Sequence, residues 1–225
     1  MHKMKKHIIM LAAGLLVLSS CSEDFFNRYP TDKMTLENYM KTVPEIESVL
    51  NAAYGGMRGN YANSIVYFGD LPTDNAYDYK LNNSQSHISL HESTVDSKNS
   101  IISDLWYACY QVINRCNLVI EAMDRVAPED DRYEEIVGQA RFIRGYTFYL
   151  MVRIWGDVPL VLEDIKDYMT VFSYGRDSVD EVYKTIVEDF EAAERMLPDF
   201  WPSADKGRVS AVAAKAMLGD VYLTR

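Results

Sequence analysis

The sequence predicts a mainly α-helical protein of stacked helical hairpins, interrupted by one long irregular excursion. Three observations carry that prediction. Five stretches repeat apolar residues at helical spacing and carry start or stop signals at their ends. A short turn joins the second stretch to the third, which makes them antiparallel neighbours. Residues 59 to about 103 lose the helical period and fill with Asn, Ser, Asp and Tyr, and a connection of that length is as a rule functional or disordered.

The first helix starts at Thr42. Thr42-x-x-Glu45 has capping-box spacing, Pro44 is tolerated in a first turn, and Ile46, Val49, Leu50, Ala53, Tyr54 and Met57 mark one face. Gly55-Gly56 and Gly59 are expected to end it. The excursion follows, with tyrosines at 61, 67, 77 and 79. Its apolar piece Ile65-Val66-Tyr67-Phe68 favours a packed segment of short irregular elements. From Asp104 to Met123 there are two apolar stripes, Trp106, Tyr110, Ile113 and Ile120 on one and Cys109, Val112, Cys116, Val119 and Met123 on the other. That helix is therefore buried on two sides.

Pro128-Glu129-Asp130-Asp131 turns the chain into a helix from Tyr133 to Trp155. Its inner face is Ile136, Val137, Ala140, Ile143, Thr147, Leu150, Met151 and Ile154, and Gly156-Asp157-Val158-Pro159 stops it. Ser178-x-x-Glu181 caps the next helix, which runs through Leu197 with Val179, Val182, Tyr183, Ile186, Phe190 and Ala193 inside. Ser210 to Leu223 forms an Ala-rich, tightly packable last helix. Two such pairs give tetratricopeptide-like helical hairpins, although the strict repeat period is absent. The chain stops at Thr224-Arg225 with neither a capping glycine nor a tail, so an N-terminal portion of a longer protein is expected, its C-terminal half missing.

Composition sets the function classes. The 225 residues are 48% hydrophobic, and 23 Lys+Arg against 33 Asp+Glu leave a net charge of −10. That is a globular balance, and it argues against a nucleic-acid binder, which needs a basic stripe to displace phosphate counterions. The N-terminus has a basic start (Lys3, Lys5, Lys6), an apolar run from Ile8 to Leu18, and small residues before Cys21. This is a secretory signal layout, too short to span a membrane. Leu18-Ser19-Ser20-Cys21 is similar to the lipobox of bacterial lipoproteins, with an ordinary signal peptide ending near a cysteine as the plainer alternative. The expected divisions are a signal peptide at 1–20, a lipidated tether and docking segment at 21–41, and the helical body at 42–225. Cleavage removes three lysines and no acid, leaving 20 basic against 33 acidic residues, or −13. Anchoring then rests on acyl chains at Cys21 and not on a polybasic patch.

Cys109 and Cys116 stand seven apart on a helix, about 10.5 Å along its axis, too far for a disulfide. Both read as small buried hydrophobes. No phosphate loop, nucleophile elbow, zinc motif or cofactor signature occurs. His87 and His91 would share one face of a helix, but their stretch does not read as helical, and solvated loop histidines are the simpler reading over a metal pair. Asp70, Asp74 and Asp78 are spaced by four and could accept sugar hydroxyls, ligate calcium or merely face solvent. A glycosidase would need two carboxyls across a scissile bond. The best functional signal is the Tyr-rich excursion: aromatic faces suit sugar rings, and Asp and Asn supply polar partners. Asp74, Asn75, Tyr77 and Tyr79 are the candidate ligand-binding residues. Packing of these tyrosines onto the helices is the competing reading.

Ordered motifs now accumulate along the chain. They are Cys21 with Asp24-Phe25-Phe26 and Pro30, Asn51-Ala52-Ala53-Tyr54, and Trp106-x3-Tyr110-x2-Ile113-x3-Asn117. Next come Ala140-Arg141-Phe142-Ile143-Arg144-Gly145-Tyr146-x-Phe148, Trp155-Gly156-Asp157-Val158-Pro159-Leu160-Val161, Ser178-Val179-x-Glu181-Val182-Tyr183-x2-Ile186-x2-Asp189, and Gly207-Arg208-Val209-Ser210. The chain thereby resembles the SusD/RagB family of nutrient-uptake lipoproteins over nearly its whole mature length. The resemblance implies tetratricopeptide-like helix pairs and a surface-exposed, lipid-anchored place on the outer membrane. It also implies non-catalytic capture of oligosaccharide or other nutrient, peptide included, for a TonB-dependent transporter, with no cofactor. Ser22-Glu23-Asp24 looks like the acidic export signal of such lipoproteins. Gly138 and Gln139 depart from the family pattern, which often has an acidic residue there. The alternative is a tetratricopeptide-like adaptor for a protein partner. Arg141 and Arg144 could meet a substrate carboxylate, but pairing with Asp157 or Asp189 to join helices is the favoured role.

Overall fold

The computed structural model describes residues 40–76, 85–165 and 168–225, with the side chains of 63–66 and 168 left aside. Cys21, Tyr77, Asp78 and Tyr79 lie outside the described residues. Among the described residues there are six α-helices: α1 (Val43–Ser64), α2 (Gln85–His91), α3 (Ser100–Val126), α4 (Tyr133–Trp155), α5 (Val179–Met196) and α6 (Ala211–Thr224). Helix α1 packs on α3 and α4, and α3, α4, α5 and α6 then pack each on the next, so the expected stack of helical hairpins is what forms. No described helix is long and apolar enough to cross a membrane.

Half of the expected capping box is present. The Glu45 carboxylate accepts the Lys41 and Thr42 backbone N–H groups at 2.8 and 3.1 Å. Those bonds, the one from Lys41 first, hold its carboxyl below the usual carboxylate range. Ser178 and Ser210 cap α5 and α6 through their hydroxyls. Gly156, at φ +68°, ends α4 where expected.

Three expectations need correction. The glycines do not end α1, which continues to Ser64. A Cβ on Gly56 would lie 2.5 Å from Val112 Cγ2, so the bare backbone is what lets α1 approach α3 this closely. Gly56→Ala is therefore expected to destabilise by about 1 kcal/mol net, because overpacking of about 1–3 kcal/mol exceeds the gain in helix propensity of about 1 kcal/mol. Gly55→Ala, with nothing within 4 Å, should stabilise. Thermal melts of the two variants would show shifts of opposite sign. Val179 is exposed and not inside, since it is the first residue of α5 and precedes the packed face.

The third correction concerns the excursion. Residues 59–64 belong to α1, Ile65–Asp70 form a π-helical turn, and Gln85–His91 is a helix that places His87 and His91 one turn apart. Asn99 starts α3 four residues early by accepting the Ile101 and Ile102 N–H groups. Tyr67 stacks on His87 at 5.3 Å, so this tyrosine ties the π-helical turn to α2, both within the excursion. Among the described residues, no group of three or more His, Cys, Asp or Glu could hold a metal.

Helix α4 is the centre of the core. Ile136, Ile143, Phe148 and Met151 are all fully buried, and Phe142 meets Phe190 of α5 edge-on at 5.3 Å. Gly138 and Gln139 acquire a reason here. A Cβ at Gly138 would fall 2.9 Å from Met196 Cβ, and Gln139 Oε1 accepts both the Tyr54 hydroxyl and Arg208 at 2.9 and 3.1 Å. The neutral amide thus ties α1 and α4 to the segment before α6, where the Tyr54 hydroxyl accepts the Val209 N–H. Cys109 and Cys116 are free and buried, and burial pushes both thiols up to about 12. Neither is expected to react with iodoacetamide at pH 8 in the native chain, and both should react in urea. Peptide mass spectrometry would read the labelling.

Candidate functional site

Much of the sequence motif set turns out to be framework. Arg144 donates to both Asp189 oxygens, from Nε to Oδ2 at 2.8 Å and from Nη2 to Oδ1 at 2.7 Å. Arg141 reaches the same carboxylate at 3.1 Å. Burial disfavours the Arg144 charge, but the Asp189 carboxylate more than offsets that and leaves its pKa raised. Arg144 Nη1 also donates to Asn117 Oδ1, while the Asn117 amide donates to the Val161 and Glu163 carbonyls at 3.0 Å each. The Tyr110 hydroxyl donates to the Pro159 carbonyl, and Asp177 accepts the Leu160 N–H. Asp157 caps α5 through the Val179 N–H and does not meet either arginine side chain at 141 or 144. These bonds hold the chain after α4 across α3, α4 and α5.

That frame fixes an aromatic floor beside it. Trp155, the last residue of α4, meets Trp106 of α3 edge-on at 5.2 Å. Phe68 of the π-helical turn lies 6.2 Å from Trp155, and Tyr110 lies 5.1 Å from Trp106. A groove of about 540 Å³ opens over this cluster, bounded also by Leu90, Ile154 and Arg176. A second cleft of about 220 Å³ adjoins it across Phe68 and Ile154, with Tyr61, Tyr146 and Arg153 on its walls. Tyr61 and Tyr146 approach at 6.4 Å, and burial raises the Tyr146 hydroxyl to about 12, so it stays protonated and can donate.

Such a surface offers flat apolar faces with polar edges and little acid–base chemistry. Asp96 is the one carboxylate among the described residues lining these two clefts, whereas a glycosidase sets two carboxyls about 5–9.5 Å apart. Asp74 and Asn75 are exposed in the turn after Leu71, where the Asn75 N–H bonds to Thr73 Oγ1 at 3.2 Å. Neither lines the groove. Sequence reasoning did not select Trp106, Trp155, Tyr146, Arg153 or Arg176 as site residues. The indoles were visible only as members of motifs, and their meeting depends on helix packing.

Comparison with known proteins bears on this geometry. Residues 24–223 match the family model SusD-like_3, described as starch-binding and associating with the outer membrane. SusD-like protein P2 of Formosa agariphila is 26% identical over 224 residues, 99% of this chain and 44% of the relative. A SusD-like protein of Bacteroides ovatus is 25% identical, over 99% of this chain and 40% of the relative. The chain thus spans less than half the length of these curated relatives. Among solved structures, surface glycan-binding protein A from Bacteroides fluxus is 26% identical with a TM-score of 0.69, over 80% of this chain and 39% of that one. A laminarin-binding SusD-like protein gives a TM-score of 0.66 at 22% identity, over 80% and 40%.

Proposed function

This chain belongs to the SusD-like family, and on that premise we propose that it is a non-catalytic glycan-capture protein of the outer-membrane surface. The observation that carries the reading is the aromatic groove formed by Phe68, Trp106 and Trp155, with Tyr61 and Tyr146 beside it. Stacking of pyranose C–H faces on these rings, with hydrogen bonds at their edges, supplies affinity without a tuned acid or base. The neighbours named for laminarin and for surface glycans support the same ligand class. Asp74, Asn75, Tyr77 and Tyr79 come from the same excursion as Phe68, and in this proposal they add to the ligand contacts.

In this proposal Cys21 carries the lipid anchor, the body faces the exterior, and captured oligosaccharide passes to a TonB-dependent transporter. Cys21→Ala is expected to move the protein from the membrane to the soluble fraction of cells, read by fractionation. The function itself is tested by a glycan-array screen of the full chain, followed by chromatography of the bound sugar. Binding with the oligosaccharide recovered intact supports capture. Cleavage would require an enzyme, and retention of a protein partner with no glycan bound would favour the adaptor.

A further inference from the structure

We infer that the groove selects acidic oligosaccharides, chains bearing uronate carboxylates, through Arg153 and Arg176. This deepens the glycan-capture reading and rests on it. The two guanidiniums stand at the two clefts that meet across Phe68 and Ile154: Arg153 on the wall of the smaller and Arg176 on the wall of the larger. Arg176 lies over the Trp106 ring at 5.9 Å, and Arg153 over the Tyr149 ring at 5.2 Å. Both side chains belong to exposed residues.

Among the described residues Arg132, Arg141, Arg144, Arg208 and Arg225 each meet a carboxylate, and the arginines at 58, 115, 125 and 195, which do not, line neither cleft. Among the described residues, neither Arg153 nor Arg176 forms an ion pair. Among the described residues the one acceptor of Arg176 is the Asp157 carbonyl at 3.3 Å, which leaves most of its N–H groups for a ligand. Asp177 beside it accepts the Leu160 N–H, and Asp96, the carboxylate of the groove wall, accepts the Lys98 N–H. A position in the last turn of α4 suits a cation for its dipole, yet the dipole alone asks only for charge and does not require a place on a cleft wall. An aromatic floor with one guanidinium over Trp106 and a second on the adjoining cleft wall matches a uronate: the ring stacks while a planar fork takes the carboxylate with two hydrogen bonds. In a chain of net charge −10, local cations are needed to overcome repulsion of an acidic polymer.

The test is calorimetric titration of the full chain with hexamers of galacturonate and of mannuronate, and with their carboxyl-reduced, neutral counterparts. At least one acidic hexamer is expected to bind ~10-fold or more tightly than its reduced form, and to weaken as salt rises. Arg153→Gln and Arg176→Gln should each remove most of that preference, with far-UV circular dichroism unchanged. Equal binding of acidic and neutral forms, or acidic binding unaltered in both variants, would overturn the inference. Binding confined to neutral glycans overturns it and leaves glycan capture standing, whereas binding of no oligosaccharide overturns both.

Discussion

Arg144→Ala is expected to lower the unfolding free energy by about 3–5 kcal/mol, the loss typical of removing one partner from a buried ion pair. Its side chain is 7% exposed and that of Asp189 1%, so the carboxylate left behind could not be rehydrated without opening the α4–α5 interface. Arg141 would remain, but through a single bond to one oxygen. The same substitution frees Asn117 Oδ1 and loosens the segment it holds at Val161 and Glu163. Arg144→Lys should recover little, since an ammonium cannot span both Asp189 oxygens and Asn117 as the guanidinium fork does. Urea unfolding would show a large drop in midpoint with glycan affinity retained where the variant is still folded. Unchanged stability with lost binding would place Arg144 in the site instead of the frame.

The largest effect on binding is expected at Trp106. It lies between Trp155, Tyr110 and Arg176, so its truncation removes the centre of the floor and the ring beneath the cation. Trp106→Ala should cost about 2 kcal/mol or more of binding free energy, roughly a 30-fold rise in Kd, the loss characteristic of a central aromatic anchor. Trp106→Phe keeps a flat face and should retain most of the affinity. The pair separates loss of stacking from loss of fold, because Trp106→Ala also leaves a void beside α4 while Trp106→Phe leaves a smaller one. Titration with a glycan identified on the array, alongside thermal melts, would read both effects.

How far the sequence disclosed this molecule depended on the range of the interaction involved. Helices α3 to α6 were legible because their apolar period and their caps at Ser178 and Ser210 are local signals. The role of Arg144 was legible as well: a cation amid apolar neighbours demands a buried partner, and Asp189 supplies it. Gly56 misled because a glycine in a helix signals an end by propensity, and only the proximity of Val112 explains why the helix passes through it. Helix α2 was hidden by its length and polarity, with Leu90 its one buried residue. The groove was the least legible feature. Phe68, Trp106 and Trp155 are scattered over almost ninety positions, and nothing in their spacing announces that three elements bring their rings within about 6 Å.

The central claim is that this aromatic groove, which the excursion helps to form, captures a glycan and leaves it unchanged. Its most direct test is calorimetric titration of the full chain with an array-positive oligosaccharide, repeated for Tyr61→Ala with Tyr146→Ala and for Tyr77→Ala with Tyr79→Ala. The account predicts saturable binding by the wild type, weaker binding by both double variants, and the same oligosaccharide recovered afterwards. Wild-type affinity in both variants with the fold intact, or recovery of shortened sugar, would contradict it.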